Sequence, residues 1–347
     1  MKKVTAKKIA EELGISTATV DRVLNNRKGV SRKTVIRVQK KAEELGYRRN
    51  RAAKYMSTQK NHRIAFVLPV FPNYFWDELA KEIRKAASLY EEFGIFIEIQ
   101  RVHTFPDNEQ VQHMHHLIEQ GNLDAIVIAP HDAKPFEDVI NKADDLNIPV
   151  FTVNTDVPNS KRVAYVGSDY FDAGYIAAEL VTLFKENIKK VSVLRDSEDT
   201  YQMQNKQRGF LRYFQENELN MEINTITFNN SAYITQSRIE KMMKKYANEL
   251  EDSDAVYVAS GILGEIEKYW NNNSKKQVVI GHDLNEKIYN AMNHGIVTAT
   301  ICQDPMAQAT ITLQKVTDYL LENKIEETTN HIVKLEIVTK ANSKYYL

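Results

Sequence analysis

The hydrophobic pattern of the chain changes once, near residue 63. Before that point apolar residues recur at helical spacing. Ile9, Ala10 and Leu13 share one face of a helix predicted over 6–13, with Thr5 placed to cap it. Val20, Val23 and Leu24 share a face of a second helix over 17–24, capped by Ser16. Gly14 supplies a tight turn between the two, so the pair predicts a helix-turn-helix. Ser31 opens a third helix over 32–45, with Val35, Val38, Ala42 and Leu45 inward and Gly46 as its stop. After residue 63, short apolar runs alternate with amphipathic stretches. The runs predict strands at 64–68, 96–99, 125–129, 150–153, 163–166, 191–194, 223–226, 255–258, 278–280 and 298–302. Helices are expected between them, at 77–93, 108–120, 135–146, 172–187, 206–216 and 232–249. Such alternation predicts an α/β body of parallel sheets covered on both faces, and its length suits two doubly wound lobes.

Charge sharpens this division. The 46 basic and 46 acidic residues cancel overall, but residues 1–63 hold 18 basic and 5 acidic ones. The small all-α head together with the segment up to residue 63 therefore carries +13, and the rest of the chain −13. That asymmetry points to a nucleic-acid-binding head on an acidic body. The one cysteine, Cys302, lies in an apolar run and reads as a buried thiol. Charged residues follow Met1 at once, and no stretch approaches 18 uncharged apolar residues. Neither a secretory signal nor a membrane span is expected, and the chain is expected in the cytoplasm. His113 and His116 share a helix face with His115 beside them, but no third ligand is evident, so no metal site is expected. No nucleophile elbow, phosphate-binding loop or Gly-x-Gly-x-x-Gly run is present, so neither enzyme activity nor a cofactor is expected.

Two sets of residues carry candidate chemistry. The outward face of the second helix holds Thr17, Ala18, Asp21, Arg22 and Asn25, which suits insertion in a major groove. The Arg22 guanidinium matches O6 and N7 of a guanine. In the body, ligands of such sheets bind beyond the carboxyl ends of the strands. The residues there are Asn73-Tyr74-Phe75-Trp76, His131-Asp132, Asn154-Thr155-Asp156, Ser168-Asp169, Ser260-Gly261, His282-Asp283 and Gln303-Asp304. Aromatic rings mixed with carboxylates and amides suit a polyhydroxylated ligand such as a sugar.

The runs Val4-Thr5-Ala6-Lys7-Lys8-Ile9-Ala10, Gly14-Ile15-Ser16-Thr17-Ala18-Thr19-Val20-Asp21-Arg22-Val23-Leu24-Asn25 and Glu43-Glu44-Leu45-Gly46-Tyr47, followed by Asn50, resemble the head of the lactose-repressor (LacI/GalR) family. The resemblance implies that Thr17, Ala18 and Arg22 read bases. It implies that Thr5, Ser16, Thr19, Asn25, Ser31, Thr34 and Tyr47 hold phosphates, which set register without reading sequence. Residues 50–57 match the family's hinge helix, with Asn50 at its start, Ala53 at the helix–helix contact and Met56 as the minor-groove wedge. Asp21 departs from the Ser that many members carry.

The body resembles the ribose-type periplasmic sugar-binding proteins (periplasmic binding protein type 1). This implies ligand contacts from Asn73, Phe75, Trp76, Arg208, Tyr233, Asp283 and Gln303. Asn154 and Thr155 stand where ribose binders carry Asp-Arg, and Ser260 where Asn is usual. His131 and Asp132 complete the expected set. The implied organisation is a head over 1–49, a hinge over 50–61 and a sensing and dimerisation body over 62–347. Lobe 1 is expected at about 62–166 and 304–325, and lobe 2 at about 167–303 and 326–347. The implied function is a homodimeric transcription regulator of repressor type. Its heads bind a pseudo-palindromic double-stranded DNA operator, and a sugar or polyol effector controls them from the cleft. Two alternatives stay open. One is the same regulator answering to a phosphorylated metabolite or a partner protein. The other is a solute-binding protein, against which the basic head argues.

Overall fold

The computed structural model describes residues 4–24, 28–47, 60–70, 73–103, 109–131, 133–196, 200–228, 236–266, 277–322 and 328–346. The head is three short helices, α1 (Ala6–Leu13), α2 (Thr17–Leu24) and α3 (Arg32–Glu44). Their apolar faces meet in one cluster of Ile9, Ala10, Val20, Val23, Val38 and Ala42. Each helix begins on a hydroxyl. Thr5 accepts from the Lys8 N–H, Ser16 from Thr19 and Ser31 from Thr34, so donors that a helix start leaves free are satisfied locally. Gly14, at φ +64°, turns the chain between α1 and α2 in the left-handed region that favours glycine. The Arg37 guanidinium donates to the Leu13 carbonyl and ties α3 to that turn.

The body consists of twelve strands among the described residues, in two sheets of six. The first has the order β11-β5-β4-β3-β1-β2 and the second β12-β10-β9-β8-β6-β7. The strands of the first are β1 (His62–Pro69), β2 (Ile95–Val102), β3 (Ala125–Ile128), β4 (Val150–Val153), β5 (Ala164–Gly167) and β11 (Asn330–Ile332). Those of the second are β6 (Lys190–Asp196), β7 (Glu222–Phe228), β8 (Ala255–Val258), β9 (Val278–His282), β10 (Ala299–Cys302) and β12 (Glu336–Thr339). All pairings are parallel except β10 with β12. Alternation along the central strands fills both faces. Ile64, Phe66 and Leu68 enter one core of the first sheet, while Ala65 and Val67 enter the other. Val256 and Val258 divide from Ala255 and Tyr257 in the same way in the second.

The connecting helices are α4 (Asn73–Glu91), α5 (Glu109–Gln120), α6 (Ala133–Asp145), α7 (Tyr170–Phe184), α8 (Tyr201–Glu216), α9 (Gln236–Asp252), α10 (Leu263–Ile266), α11 (Glu286–Asn293) and α12 (Pro305–Glu322). Among the described residues no helix is long and apolar enough to cross a membrane. The two doubly wound lobes match the architecture expected from the strand–helix alternation.

The chain passes between the lobes three times: from β5 to α7, from β10 to α12, and from β11 to β12. Helix α12 returns to the first lobe, where Ala309, Leu313 and Val316 join its core. The third passage departs from expectation. Asn330–Ile332 pairs with β5, so the chain leaves the first lobe after residue 332 rather than near 326. A buried ion pair secures that strand. Arg162 binds Asp156 and also donates to the Asn330 side chain at 2.7 Å, with both charged side chains at most 6% exposed.

Each lobe repeats one further device. A carboxylate just before its third strand accepts backbone N–H groups from the strand or turn beside it. Asp124 takes the Arg63 N–H at 3.0 Å, and Asp254 takes those of Lys189 and Lys190 at 2.9 and 3.2 Å. Lys185 adds an ammonium to Asp254 at 3.1 Å, and together these bonds hold its carboxyl well below the usual carboxylate range.

Candidate functional site

In the head, Thr17, Ala18 and Arg22 lie exposed on α2, near its N-terminus and along the face turned away from the apolar cluster. Thr5, Ser16 and Ser31 cap their helices, and Thr19 and Thr34 bond to the capping hydroxyls at 2.8 and 2.9 Å. Tyr47 packs half-buried against the apolar cluster. The arrangement leaves a short polar helix face flanked by hydroxyls, which is what reading base edges and gripping phosphates requires. Asn25 and the hinge residues Asn50, Ala53 and Met56 lie outside the described residues.

The second site lies where the carboxyl ends of the two sheets meet. Asp283 follows β9 at φ +64°, a left-handed conformation that asparagine and aspartate adopt more readily than other side-chain-bearing residues. Its N–H donates to the Ile301 carbonyl, and the Thr300 hydroxyl donates to its carbonyl at 2.6 Å. These bonds lock the turn. The Gln303 amide then donates to the Asp283 carboxylate at 2.8 Å. Gln303 is itself fixed by Gln308, whose amide donates to the Gln303 carbonyl.

Facing this group is Lys206, on α8. Its ammonium donates to the Ala259 carbonyl at 3.0 Å and lies 5.6 Å from the centre of the Tyr170 ring. Only 4% of Lys206 is exposed, and burial pushes its ammonium down to about 8 against the opposing pull of Asp283. Burial likewise raises the Asp283 carboxyl, while Lys206 and Gln303 oppose that shift.

The first lobe meets the second through direct bonds. The Tyr74 hydroxyl donates to the Gly261 carbonyl at 3.2 Å, and burial with the nearby Asp283 charge raises its pKa. The Gln202 amide donates to the Asn154 amide oxygen at 2.9 Å. Around these bonds, buried polar atoms lack hydrogen-bond partners. They include Asn154 Nδ2, Ser168 Oγ, Ser260 Oγ and Gln303 Oε1. Unsatisfied buried polar atoms cost about 1–3 kcal/mol each, so a concentration of them at one edge marks a place for a polar ligand.

Of the residues named from sequence, Asn154, Ser260, Asp283 and Gln303 come together here. Others do not. Phe75 and Trp76 pack edge-to-face at 4.9 Å within the first lobe's core, because they continue the apolar stripe of Leu79, Ala80 and Ile83. Arg208 is exposed, bonded to Asn205 and lying over Phe171. Residues two apart on a helix point about 200° apart, so the face that buries Lys206 turns Arg208 outward. Thr155 is satisfied by the Pro130 carbonyl at 2.5 Å, and the backbone N–H of half-buried His131 donates to Gln110. Asp169 caps α7 through the N–H groups of Phe171 and Asp172. Asn73 opens α4, while Asp132 and Tyr233 lie outside the described residues. Sequence reasoning missed Lys206 and Gln202, and named Tyr74 only within the strand-end run 73–76. Lys206 carried a signal, since it interrupts the stripe of Met203 and Phe210 at spacings of three and four.

His113 bonds to Gln100 and His116 to Gln120. Among the described residues no group of three metal-ligating side chains occurs.

Comparison with known proteins covers both parts of the chain. Residues 5–50 match the bacterial regulatory proteins of the lacI family, and residues 64–324 match the periplasmic binding protein domain. The chain is 25% identical to the ribose operon repressor of Lactococcus lactis subsp. lactis (strain IL1403), over 96% of this chain and 98% of that one. It is 25% identical to the sucrose operon repressor of Lactococcus lactis subsp. lactis, over 81% of this chain and 83% of that one. Its fold matches the crystal structure of an ABC transporter solute-binding protein from Burkholderia graminis C4D1M in complex with D-arabinose. The TM-score is 0.72 at 18% identity, covering 82% of this chain and 96% of that one. A three-helix head with an exposed polar face thus stands on a two-lobed body with a polar cleft, and the chain belongs to the lacI family of transcription regulators, with a periplasmic binding protein domain as its body.

Proposed function

We propose that this chain is a homodimeric, cytoplasmic repressor whose affinity for a pseudo-palindromic operator is set by a neutral sugar bound between its lobes. Thr17, Ala18 and Arg22 read bases. Thr5, Ser16, Thr19, Asn25, Ser31, Thr34 and Tyr47 hold phosphates, and Met56 enters the minor groove. In the cleft, Asp283 and Gln303 accept from vicinal hydroxyls, while Lys206 and Asn154 donate. One observation carries the ligand class. Among the described residues, the cluster sets the half-buried Asp283 carboxylate against the buried Lys206 ammonium and otherwise offers amides and hydroxyls. That balance suits a neutral polyhydroxylated molecule. A phosphorylated metabolite would bring two negative charges against Asp283, with Lys206 alone among the described cluster residues to offset them. The names of the two repressors compared above, sucrose and ribose, support the same class.

The test is a thermal-shift panel of sugars, polyols and sugar phosphates, followed by operator binding with each hit. A true effector at about 100 times its Kd stabilises the chain by about 2.7 kcal/mol. The reading fails if sugar phosphates stabilise the chain and their neutral parents do not.

A further inference from the structure

Resting on the cleft as the effector site, we propose that Gln202 fixes which end of the Asn154 amide meets the effector, and so selects ligands with an accepting oxygen at that point. The assignment follows from counting hydrogens. The backbone carbonyl of Asn154 can only accept, and the Tyr170 hydroxyl lies 2.6 Å from it, while the Tyr165 hydroxyl shares its one hydrogen between this carbonyl at 2.8 Å and that of Ser168 at 3.0 Å. A hydroxyl has one hydrogen, so that of Tyr170 is committed to the carbonyl. The Tyr170 oxygen also lies 2.7 Å from the Gln202 amide, where it can now only accept. Gln202 must therefore present its nitrogen. The same nitrogen lies 2.9 Å from the Asn154 side chain, and its second hydrogen goes to the Asn154 oxygen.

The Asn154 nitrogen is consequently turned the other way. It is buried, in a residue only 3% exposed, and has no partner among the described residues. Turning this amide over would set two NH2 groups against each other. The backbone cannot relieve that conflict. Asn154 sits at φ +63° with its N–H held by the Val166 carbonyl at 2.8 Å. Asn154 is thus a donor only.

The second lobe shows the complementary polarity. The Gln303 nitrogen is used on Asp283, leaving Gln303 Oε1 and the second Asp283 oxygen to accept. A ligand spanning both sides meets donors at Asn154 and acceptors at Asp283 and Gln303. A sugar ring supplies this pairing directly, with a ring or carbonyl oxygen that carries no hydrogen beside hydroxyls that do. A cyclitol offers hydroxyls alone, and the one facing Asn154 must still place its own hydrogen. The geometry therefore favours an aldose over a cyclitol of equal hydroxyl count.

The test uses the full-length chain and the variants Gln202→Glu and Gln202→Met. A neutron structure of deuterium-exchanged crystals should show deuterium on the Gln202 nitrogen pointing at Tyr170 and Asn154. Calorimetric titration with D-arabinose, D-allose, D-glucose and myo-inositol gives the selectivity. The carboxylate that Gln202→Glu introduces can only accept, so it draws the Asn154 nitrogen toward itself and leaves the oxygen facing the ligand. Sugar affinity should fall about 10-fold or more in Gln202→Glu and less in Gln202→Met, with the sugar-to-inositol ratio narrowing only in Gln202→Glu. A ratio unchanged in Gln202→Glu, or deuterium on the Asn154 nitrogen pointing at Gln202, overturns the proposal. If no sugar binds the wild-type chain, the effector reading fails instead, and the neutron map alone decides the amide relay.

Discussion

The backbone carbonyl of Lys206 rests against the bare Cα of Gly174, and a methyl group on Gly174 would collide with it. Gly209 returns the contact one turn further on, against the Phe171 carbonyl. Helices α7 and α8 therefore touch backbone to backbone, and this closeness delivers the Lys206 ammonium to the cleft. Gly174→Ala should separate the helices, destabilise the chain by about 1–3 kcal/mol through overpacking and weaken effector binding. Chemical denaturation and titration check it. Unchanged affinity would show that Lys206 reaches the ligand without this contact.

Asp283→Asn keeps the shape and the left-handed turn but removes the charge. Effector affinity should fall about 10- to 100-fold as charge-assisted bonds are lost. Operator binding without effector should persist, measured by fluorescence anisotropy. A normal effector response would remove Asp283 from the site.

Effector affinity should depend on pH through Lys206. Its ammonium is depressed to about 8, so it loses its proton as pH rises through that value, and affinity should decline above it. Lys206→Arg keeps its charge through that range and should flatten the profile. Arg208→Ala should leave affinity near wild type, because Arg208 faces solvent. A pH profile identical in wild type and Lys206→Arg would contradict the role of the ammonium.

Arg22→Ala should cost about 1–3 kcal/mol of specific binding and relax preference at one base pair of each half-site. A uniform loss across sequences would make Arg22 a phosphate contact. Binding should also weaken steeply with salt, as the basic head releases counterions from neutralised phosphates.

Asp254→Asn should destabilise the chain by about 1–3 kcal/mol near neutral pH. The Asp254 carboxyl is held low in the fold, so its contribution is present above the unfolded value of about 4 and is lost as pH falls through the lower folded value. The gap between wild type and variant should close in acid. A gap independent of pH would assign the effect to packing.

The head was legible because its signals are local. Thr5, Ser16 and Ser31 cap helices within three residues of themselves, and Gly14 turns the chain alone. Two of the four edge strands, β11 and β12, were not. They are three and four residues long with mixed exposure, so pairing with β5 and β10 makes them strands rather than their own pattern. In the cleft, Asp283 stood out because a carboxylate follows a strand whose pattern reads as buried. The start of α8 was placed at Lys206, whereas Thr200 caps it and Tyr201 begins it. That error hid the face shared by Met203, Lys206 and Phe210, while Arg208 entered through the resemblance alone. Phe75 and Trp76 were misplaced for the reverse reason, since aromatic rings suit a sugar and a core equally.

The direction of β1 has a mechanical outcome. The strand runs from His62 to Pro69, with its carboxyl end at the cleft, so the head is joined to the opposite end of the lobe. Eight extended residues span about 26 Å. On the proposed reading, the lobe is a lever with the effector near its pivot and its attachment to the DNA-binding unit at the tip. A rotation of about 10° at the cleft displaces that tip by roughly 4–5 Å over the strand's length, more than one base-pair rise of about 3.4 Å. In the proposed homodimer, two such levers acting on one operator would turn a modest closure into a change of half-site spacing.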